Sequence, residues 1–212
     1  MFKNIVFDMG RVLLDYDPLK VCWQYTDRAE EVELLDKALF SSPEWVLIDA
    51  GAITEEEAMK RVRDRLPNKR LKDMADQCMA HWHEYNIWPM PGMEELVRDL
   101  KEQGYHIYLC SNASLRLRVF QNEIPGMQYF DGVLVSAEEK LLKPDPAIYE
   151  RLFEKFSIQP EESFFIDDLP ANIEGAKKCG MDGYCFADGD VERLKRTLND
   201  RKILTKNVTN QR

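Results

Sequence analysis

Short apolar runs that end on polar residues alternate along the chain with helical patterning. Runs over 4–8, 106–111, 133–136, 164–167 and 184–186 are rich in β-branched and aromatic residues and read as buried strands. Between them, 93–103 reads as a helix stopped by Gly104, 145–156 carries Pro146 just inside its start, and 171–179 stops at Gly180. Strands alternating with helices of this length predict βαβ units, and so an α/β fold built on a doubly wound parallel sheet.

Residues 16–88 break that rhythm. They hold no convincing strand, and Thr54-x-x-Glu57 is a capping box opening an amphipathic helix through Arg65. "PLKVCWQY", "AEEVELLDKALF" and "KDMADQCMAHWHEYN" read as further helices. An all-helical insert placed after the first strand projects from the carboxyl edge of the sheet, and Pro89, Pro91 and Gly92 mark the return. The expected division is a core of 1–15 and 89–212 with a helical cap over 16–88. The polar tail from about Asn199 is expected to fray.

Composition narrows the function classes. The 212 residues are 44% apolar, enough for one sizeable core and a smaller appendage. Lys and Arg total 29 against 38 Asp and Glu, a net charge of −9, which argues against nucleic acid or an anionic membrane as partner. An anionic ligand must therefore meet local positive charge. Cys22, Cys78, Cys110, Cys179 and Cys185 are odd in number and lack CxxC spacing, so buried free thiols are expected rather than disulfides or a zinc site. With no leader-like start and no apolar run of membrane-spanning length, the expectation is a cytoplasmic protein in which the Asn207-Val208-Thr209 sequon is coincidental.

The stretch "NIVFDMGRV" sets the chemical question. Asp8 closes an apolar run and Gly10 follows two residues later, so a carboxylate sits at the end of a buried strand, where it is costly without a partner. The plainer reading is a strand end that caps a turn. In a doubly wound sheet, however, ligands bind outside the carboxyl ends of the strands. Ser111 and Asn112 end the next strand, Lys143 follows the third, and Asp167 and Asp168 end the fourth, so all share one edge with Asp8. Three facing carboxylates repel unless a cation sits among them, and an all-oxygen set suits magnesium. A lysine and a hydroxyl nearby supply donors for an anion.

The order Asp8, Ser111, Lys143, Asp167/Asp168 resembles the four motifs of the haloacid-dehalogenase-like (HAD) hydrolase superfamily, over residues 1 to about 190. "SNAS", "KPDPAIY" and "DDLPANIEGA", with glycine at the second motif-one position, resemble the bacterial subgroup that includes sugar-1-phosphate phosphatases. The resemblance implies that Asp8 is a nucleophile forming an aspartyl-phosphate, and that Mg²⁺ is bound by Asp8, the Gly10 carbonyl and Asp168, with Asp167 direct or through water. It implies further that Ser111 and the Asn112 backbone hold a phosphoryl oxygen, and that Lys143 screens Asp8 and contacts phosphate. Residues 16–88 then resemble the family's cap.

One departure bears on mechanism. Most phosphatases of the family carry an acid at the position of Gly10, and general acid catalysis is worth about 10²–10⁴-fold. Three readings follow: a substrate with an acidic leaving group such as an anomeric hydroxyl, a proton supplied by Asp15, Asp17 or a cap residue, or a site that binds without turnover. Arg11 reads as a second phosphate contact or as a surface ion pair. Asn172 reads as an orienting group or a helix hydrogen bond. His81 and His83, two residues apart, do not face each other on a helix. Trp45, Trp82, Tyr85, Trp88 and the "IDAGAITEEE" segment read first as packing and capping, and Trp23 and Tyr25 stay open. The reading adopted is a Mg²⁺-dependent phosphatase of a small phosphorylated metabolite, with a sugar phosphate first. Its rivals are a haloacid dehalogenase and a catalytically silent phosphometabolite-binding protein.

Overall fold

The computed structural model describes residues 1–205. Strand β1 (Asn4–Phe7) enters a turn and then β2 (Leu14–Tyr16), after which come helices α1 (Ala29–Ala38), α2 (Pro43–Asp49), α3 (Glu55–Arg65) and α4 (Lys69–Tyr85). The chain returns through β3 (Ile87–Pro89) to α5 (Met93–Glu102), β4 (His106–Ser111), α6 (Leu117–Phe120), β5 (Gly132–Val135) and α7 (Ser136–Glu139). It finishes with α8 (Pro146–Phe156), β6 (Ser163–Asp167), α9 (Pro170–Lys178), β7 (Asp182–Cys185) and α10 (Val191–Asp200).

The main sheet has the order β5-β4-β1-β6-β7, and every pair in it is parallel. Phe7 lies opposite Leu109 on one side and Ile166 on the other, so β1 is central and both of its faces are covered. Alternation sorts the side chains. Val6, Tyr108, Cys110, Leu134 and Phe165 pack with Ile148, Tyr149, Leu152 and Ile173 of α8 and α9. Ile5, Phe7, Leu109 and Ile166 share the opposite face with Leu96, Val97 and Leu100 of α5 and Leu194 and Leu198 of α10. This two-faced burial explains why the strands read as unbroken apolar runs. Among the described residues no helix is long and apolar enough to cross a membrane.

Four details differ from the sequence-based expectation. Strands β5 and β7 each begin and end earlier than their apolar runs, and Ser136 opens α7 instead of closing a strand. The supposedly strand-free 16–88 stretch contributes to an antiparallel ribbon, β2 with β3, pairing Tyr16 with Ile87 and Asp15 with Trp88. Three-residue strands are too short to show a period. "PLKVCWQY" forms only a short 3-10 turn at Cys22–Gln24, because Asn86 competes for its backbone: Asn86 Oδ1 accepts from Val21 N at 2.8 Å and its Nδ2 donates to the Pro18 carbonyl at 3.1 Å. Finally, the tail expected to fray from Asn199 is packed as far as it is described. Helix α10 runs to Asp200 and Ile203 is buried, while residues 206–212, the sequon included, lie outside the described residues.

Asn86 is fully buried, and its carbonyl also accepts from Asp17 N at 2.9 Å, so one residue ties both strands of the ribbon to the first cap turn. Asn86→Ala strands the Val21 N–H and the Pro18 carbonyl. It is expected to lower stability by about 1–3 kcal/mol in urea unfolding, with an unchanged m-value.

Candidate active site

Each polar residue of the carboxyl edge is delivered by a strand end or the loop beyond it. Asp8 follows β1 directly, and its backbone N–H still donates to the Ile166 carbonyl at 2.9 Å, so its position is set by the sheet. Ser111 and Asp167 close β4 and β6, and Lys143 lies between α7 and α8. Asn112 braces that loop: its Nδ2 donates to the Lys143 carbonyl at 2.9 Å and its Oδ1 accepts from Lys143 N at 2.8 Å. Helix α9 presses on the same loop through Gly175, where a Cβ would lie 2.7 Å from the Pro144 carbonyl oxygen.

Lys143 is the centre of the cluster. Its Nζ lies 2.8 Å from Asp8 Oδ1 and 2.7 Å from Asp167 Oδ2, and donates to the Cys110 carbonyl at 2.8 Å, which uses all three of its donors. Burial pulls its pKa down, but the Asp8 and Asp167 carboxylates more than offset this and hold it above the usual lysine range, so the ammonium is permanent. Asp8 is pushed up to about 6, first by burial, with Lys143 pulling it back and Asp167 adding to the rise. Asp168 is raised by burial and by Asp167.

Donor atoms of Asp8, Asp167 and Asp168 lie within 4.8 Å of one another, an all-oxygen set of the kind a hard divalent cation takes. The three do not offer equal capacity. Asp167 is 0% exposed and already accepts from Leu169 N and Asn172 Nδ2 on Oδ1, and from Asn172 Nδ2 and Lys143 Nζ on Oδ2, all within 3.0 Å. Asp8 and Asp168 keep the free lone pairs. Asn172 is thus an orienting residue for Asp167, held in place in turn by the Tyr149 hydroxyl, which donates to its carbonyl at 2.7 Å.

A cavity of about 170 Å³ opens over Asp8 between the strand ends and the helices α2, α4 and α6. Asp8, Gly10, Ser111 and Asn112 form its floor, while Trp45, Trp82 and Phe120 form an aromatic wall. Tyr16, Asp49 and Ser114 complete it. None of these three was singled out as a site residue from the sequence, although "LIDAG" at 47–51 repeats the apolar-Asp-x-Gly pattern of "VFDMG" at 6–10. Arg11 is not brought to this cavity. It is exposed, with φ 55°, and lines a separate open groove with Asp15 and Asp168 without forming an ion pair among the described residues. A larger groove of about 590 Å³ between α3 and α6 shares Ser114, but its Arg116 and Glu55 are paired with each other.

The family model for haloacid dehalogenase-like hydrolases matches residues 2–180. The chain belongs to the HAD-like hydrolase family. Among curated relatives, it is 27% identical over 214 residues to the phosphorylated carbohydrates phosphatase of Thermotoga maritima, covering 95% of this chain and 89% of that protein. It is 27% identical over 161 residues to flavin mononucleotide hydrolase 1 of Arabidopsis thaliana, covering 75% of this chain but only 62% of that protein. The crystal structure of a wild-type HAD family enzyme from Bacteroides thetaiotaomicron, in complex with magnesium and inorganic phosphate, superposes with a TM-score of 0.66 at 25% identity, covering 92% of this chain and 99% of that one.

The electrostatics of this HAD-family site give a stability test. Lys143→Met leaves Asp8 and Asp167 facing each other across a buried space without their counter-ion. The expected cost, read by urea unfolding in EDTA, is on the order of 3–5 kcal/mol.

Proposed function

We propose that the protein is a Mg²⁺-dependent phosphatase acting on a small phosphorylated metabolite through an aspartyl-phosphate on Asp8. The observation that carries this reading is the Lys143 ammonium wedged between Asp8 and Asp167, 2.8 and 2.7 Å away, with Asp168 close enough to complete an oxygen cage. Asp8, the Gly10 carbonyl and Asp168 would hold the cation, with Asp167 one water removed because its oxygens are already engaged. The bound cation supplies Lewis-acid neutralisation of charge between the phosphate and the nucleophile. Asp8 Oδ attacks phosphorus in line, and Ser111 and the Asn112 backbone N–H hold a phosphoryl oxygen. With its three donors spent, Lys143 acts by its field rather than by binding phosphate.

Residues 16–88 serve as the cap and 1–15 with 89–212 as the core. A compact cavity, below the roughly 300–1,000 Å³ typical of sites for drug-sized ligands, favours a small metabolite. Trp45 and Trp82 beside Tyr16, Asp49 and Ser114 suit a ring that stacks and hydrogen-bonds, which keeps a sugar phosphate first, in line with the carbohydrate phosphatase relative. The second reading, a protein that binds without turnover, rests on Gly10, which offers no proton donor.

Phosphate release from a panel of sugar phosphates, nucleotides and acyl phosphates separates the two. Turnover that requires Mg²⁺, stops in EDTA and is abolished by Asp8→Asn is expected. No release from any of them, with the ligands still raising Tm, would establish the binding-only reading.

A further inference from the structure

Gly10 leaves the leaving group without a proton donor on the core side, so the question is which other side chain reaches the cavity with a proton to give. Asp15 and Asp17, on β2 and just after it, are not among the residues that line it. Asp49 is. It is the last residue of α2, in the cap, and shares the cavity with Asp8, Ser111 and Asn112.

Its placement is enforced from the core. Ser136 Oγ, at the start of α7, donates to the Asp49 carbonyl at 2.5 Å and accepts from Ala113 N at 2.8 Å, which pins the end of α2 to the loop after β4. Two residues on, Gly51 has φ +63° and passes so close to the core that a Cβ there would lie 2.2 Å from the Ala137 carbonyl oxygen. Only glycine permits that approach. The Asp49 carboxyl has no side-chain partner among the described residues, the Ser114 backbone N–H being the group directed at it.

We propose that Asp49 is the general acid and base of this phosphatase, supplied by the cap in place of the acid missing at Gly10. The inference rests on the phosphatase reading above. In the first step an Asp8 oxygen bonds to phosphorus, the bond from phosphorus to the leaving oxygen breaks, and that oxygen takes the Asp49 proton. In the second, the Asp49 carboxylate removes a proton from water as the water oxygen bonds to phosphorus. The Asp8–phosphorus bond then breaks, releasing inorganic phosphate and restoring both residues.

The environment keeps Asp49 in the form the first step needs. Burial pushes its pKa up to about 8, with the Ser114 backbone N–H pulling the other way. The titratable groups facing it are few: Asp8 and Tyr16 across the cavity, and Glu55 of α3, which Arg116 pairs. Tyr16 is raised by burial and by Asp49, and so stays protonated. From α4 the facing residues are Met79 and Trp82, neither of which titrates.

Leaving-group dependence is the deciding measurement. Log kcat/KM is plotted against leaving-group pKa, from p-nitrophenyl phosphate to alkyl phosphates, for wild type, for Asp49→Asn and for the double variant Gly10→Asp with Asp49→Asn. A donor that protonates the leaving oxygen gives a shallow slope in the wild type and a steep one in Asp49→Asn, with a loss of about 10²–10⁴-fold for alkyl phosphates and a much smaller one for p-nitrophenyl phosphate. The wild-type kcat/KM falls above about pH 8 and that limb is lost in Asp49→Asn. No atom lies within 4 Å of a Cβ built on Gly10, so an aspartate fits there and restores part of the alkyl phosphate rate. A steep slope in the wild type, or equal losses for all leaving groups, overturns the assignment while leaving the phosphatase reading intact. A wild type that turns over nothing overturns both. A readout free of activity is stability: the folded chain holds a proton on Asp49 that the unfolded chain has released between about pH 4 and pH 8, so wild-type stability falls across that window relative to Asp49→Asn. Parallel profiles overturn the assignment.

Discussion

The structure depends on keeping one ammonium dry among carboxylates. Burying Lys143 with Asp8 and Asp167 costs several kcal/mol per ion in lost hydration, which is recovered only with close geometry and with every remaining polar atom satisfied. Much of the carboxyl edge serves that condition. The Cys110 carbonyl takes the third ammonium proton, Leu169 N and Asn172 fill the Asp167 oxygens, and Asn112 fixes the loop that carries the lysine. With Asp168 included, three carboxylates face the one buried ammonium, with Arg11 acting on Asp168 only from the exposed groove beside it. The excess of buried negative charge is what a divalent cation would offset, so the electrostatic demand of the fold and the chemistry of the proposed phosphatase coincide.

Topology explains how residues so far apart in sequence meet. The chain lays β1 in the centre, builds outward through β4 and β5, and then returns to add β6 and β7 on the other flank. The loops after β1, β4 and β6 therefore leave the sheet side by side, at the crevice where doubly wound folds bind ligands. The cap leaves and re-enters between β1 and α5 through the β2–β3 ribbon, which places it over that crevice. A short ribbon held by Asn86 gives the two crossings a shared, hydrogen-bonded root.

The core and its edge are legible because buried parallel strands advertise themselves as apolar runs, and in a doubly wound sheet the polar residues that end those runs collect at one edge. Asp8, Ser111 and the Asp167/Asp168 pair stand out on that ground, whereas Lys143, in the loop between α7 and α8, stands out by its place in the motif order. What escaped shares a different cause. β2 and β3 are three residues each, below the length at which a period exists. The 3-10 turn at Cys22–Gln24 replaces a helix because of Asn86, more than sixty residues away. Asp49 reads in sequence as part of a capping segment, since the apolar-Asp-x-Gly echo does not by itself distinguish a helix-ending aspartate that faces solvent from one pinned over the cavity by Ser136. Arg11, which reads as a phosphate contact or a surface ion pair, lies at positive φ in a neighbouring groove with Asp15 and Asp168 and forms an ion pair with neither among the described residues.

The cap contacts bear on turnover. An opening of a cap over 16–88 would break the Ser136–Asp49 bond, the paired contact of Arg116 with Glu55 and the donation of Arg116 Nη1 to the Ala80 carbonyl at 3.0 Å. A neutral bond is worth about 0.5–1.5 kcal/mol net and one to a charged group about 1.5–3 kcal/mol, so these contacts would oppose such an opening by a few kcal/mol. The same opening carries Asp49 away from Asp8. A proton donor housed in the cap, as proposed for Asp49, would be delivered only with the cap closed. A ligand that holds the cap open meets the nucleophile without the acid. An acid on the core side, two residues from Asp8, would impose no such condition. Under the proposed assignment, the exchange of Gly10 for Asp49 would couple proton transfer to cap position, and would make the fit of a substrate beside Trp45 and Trp82 part of the chemical step rather than of binding alone.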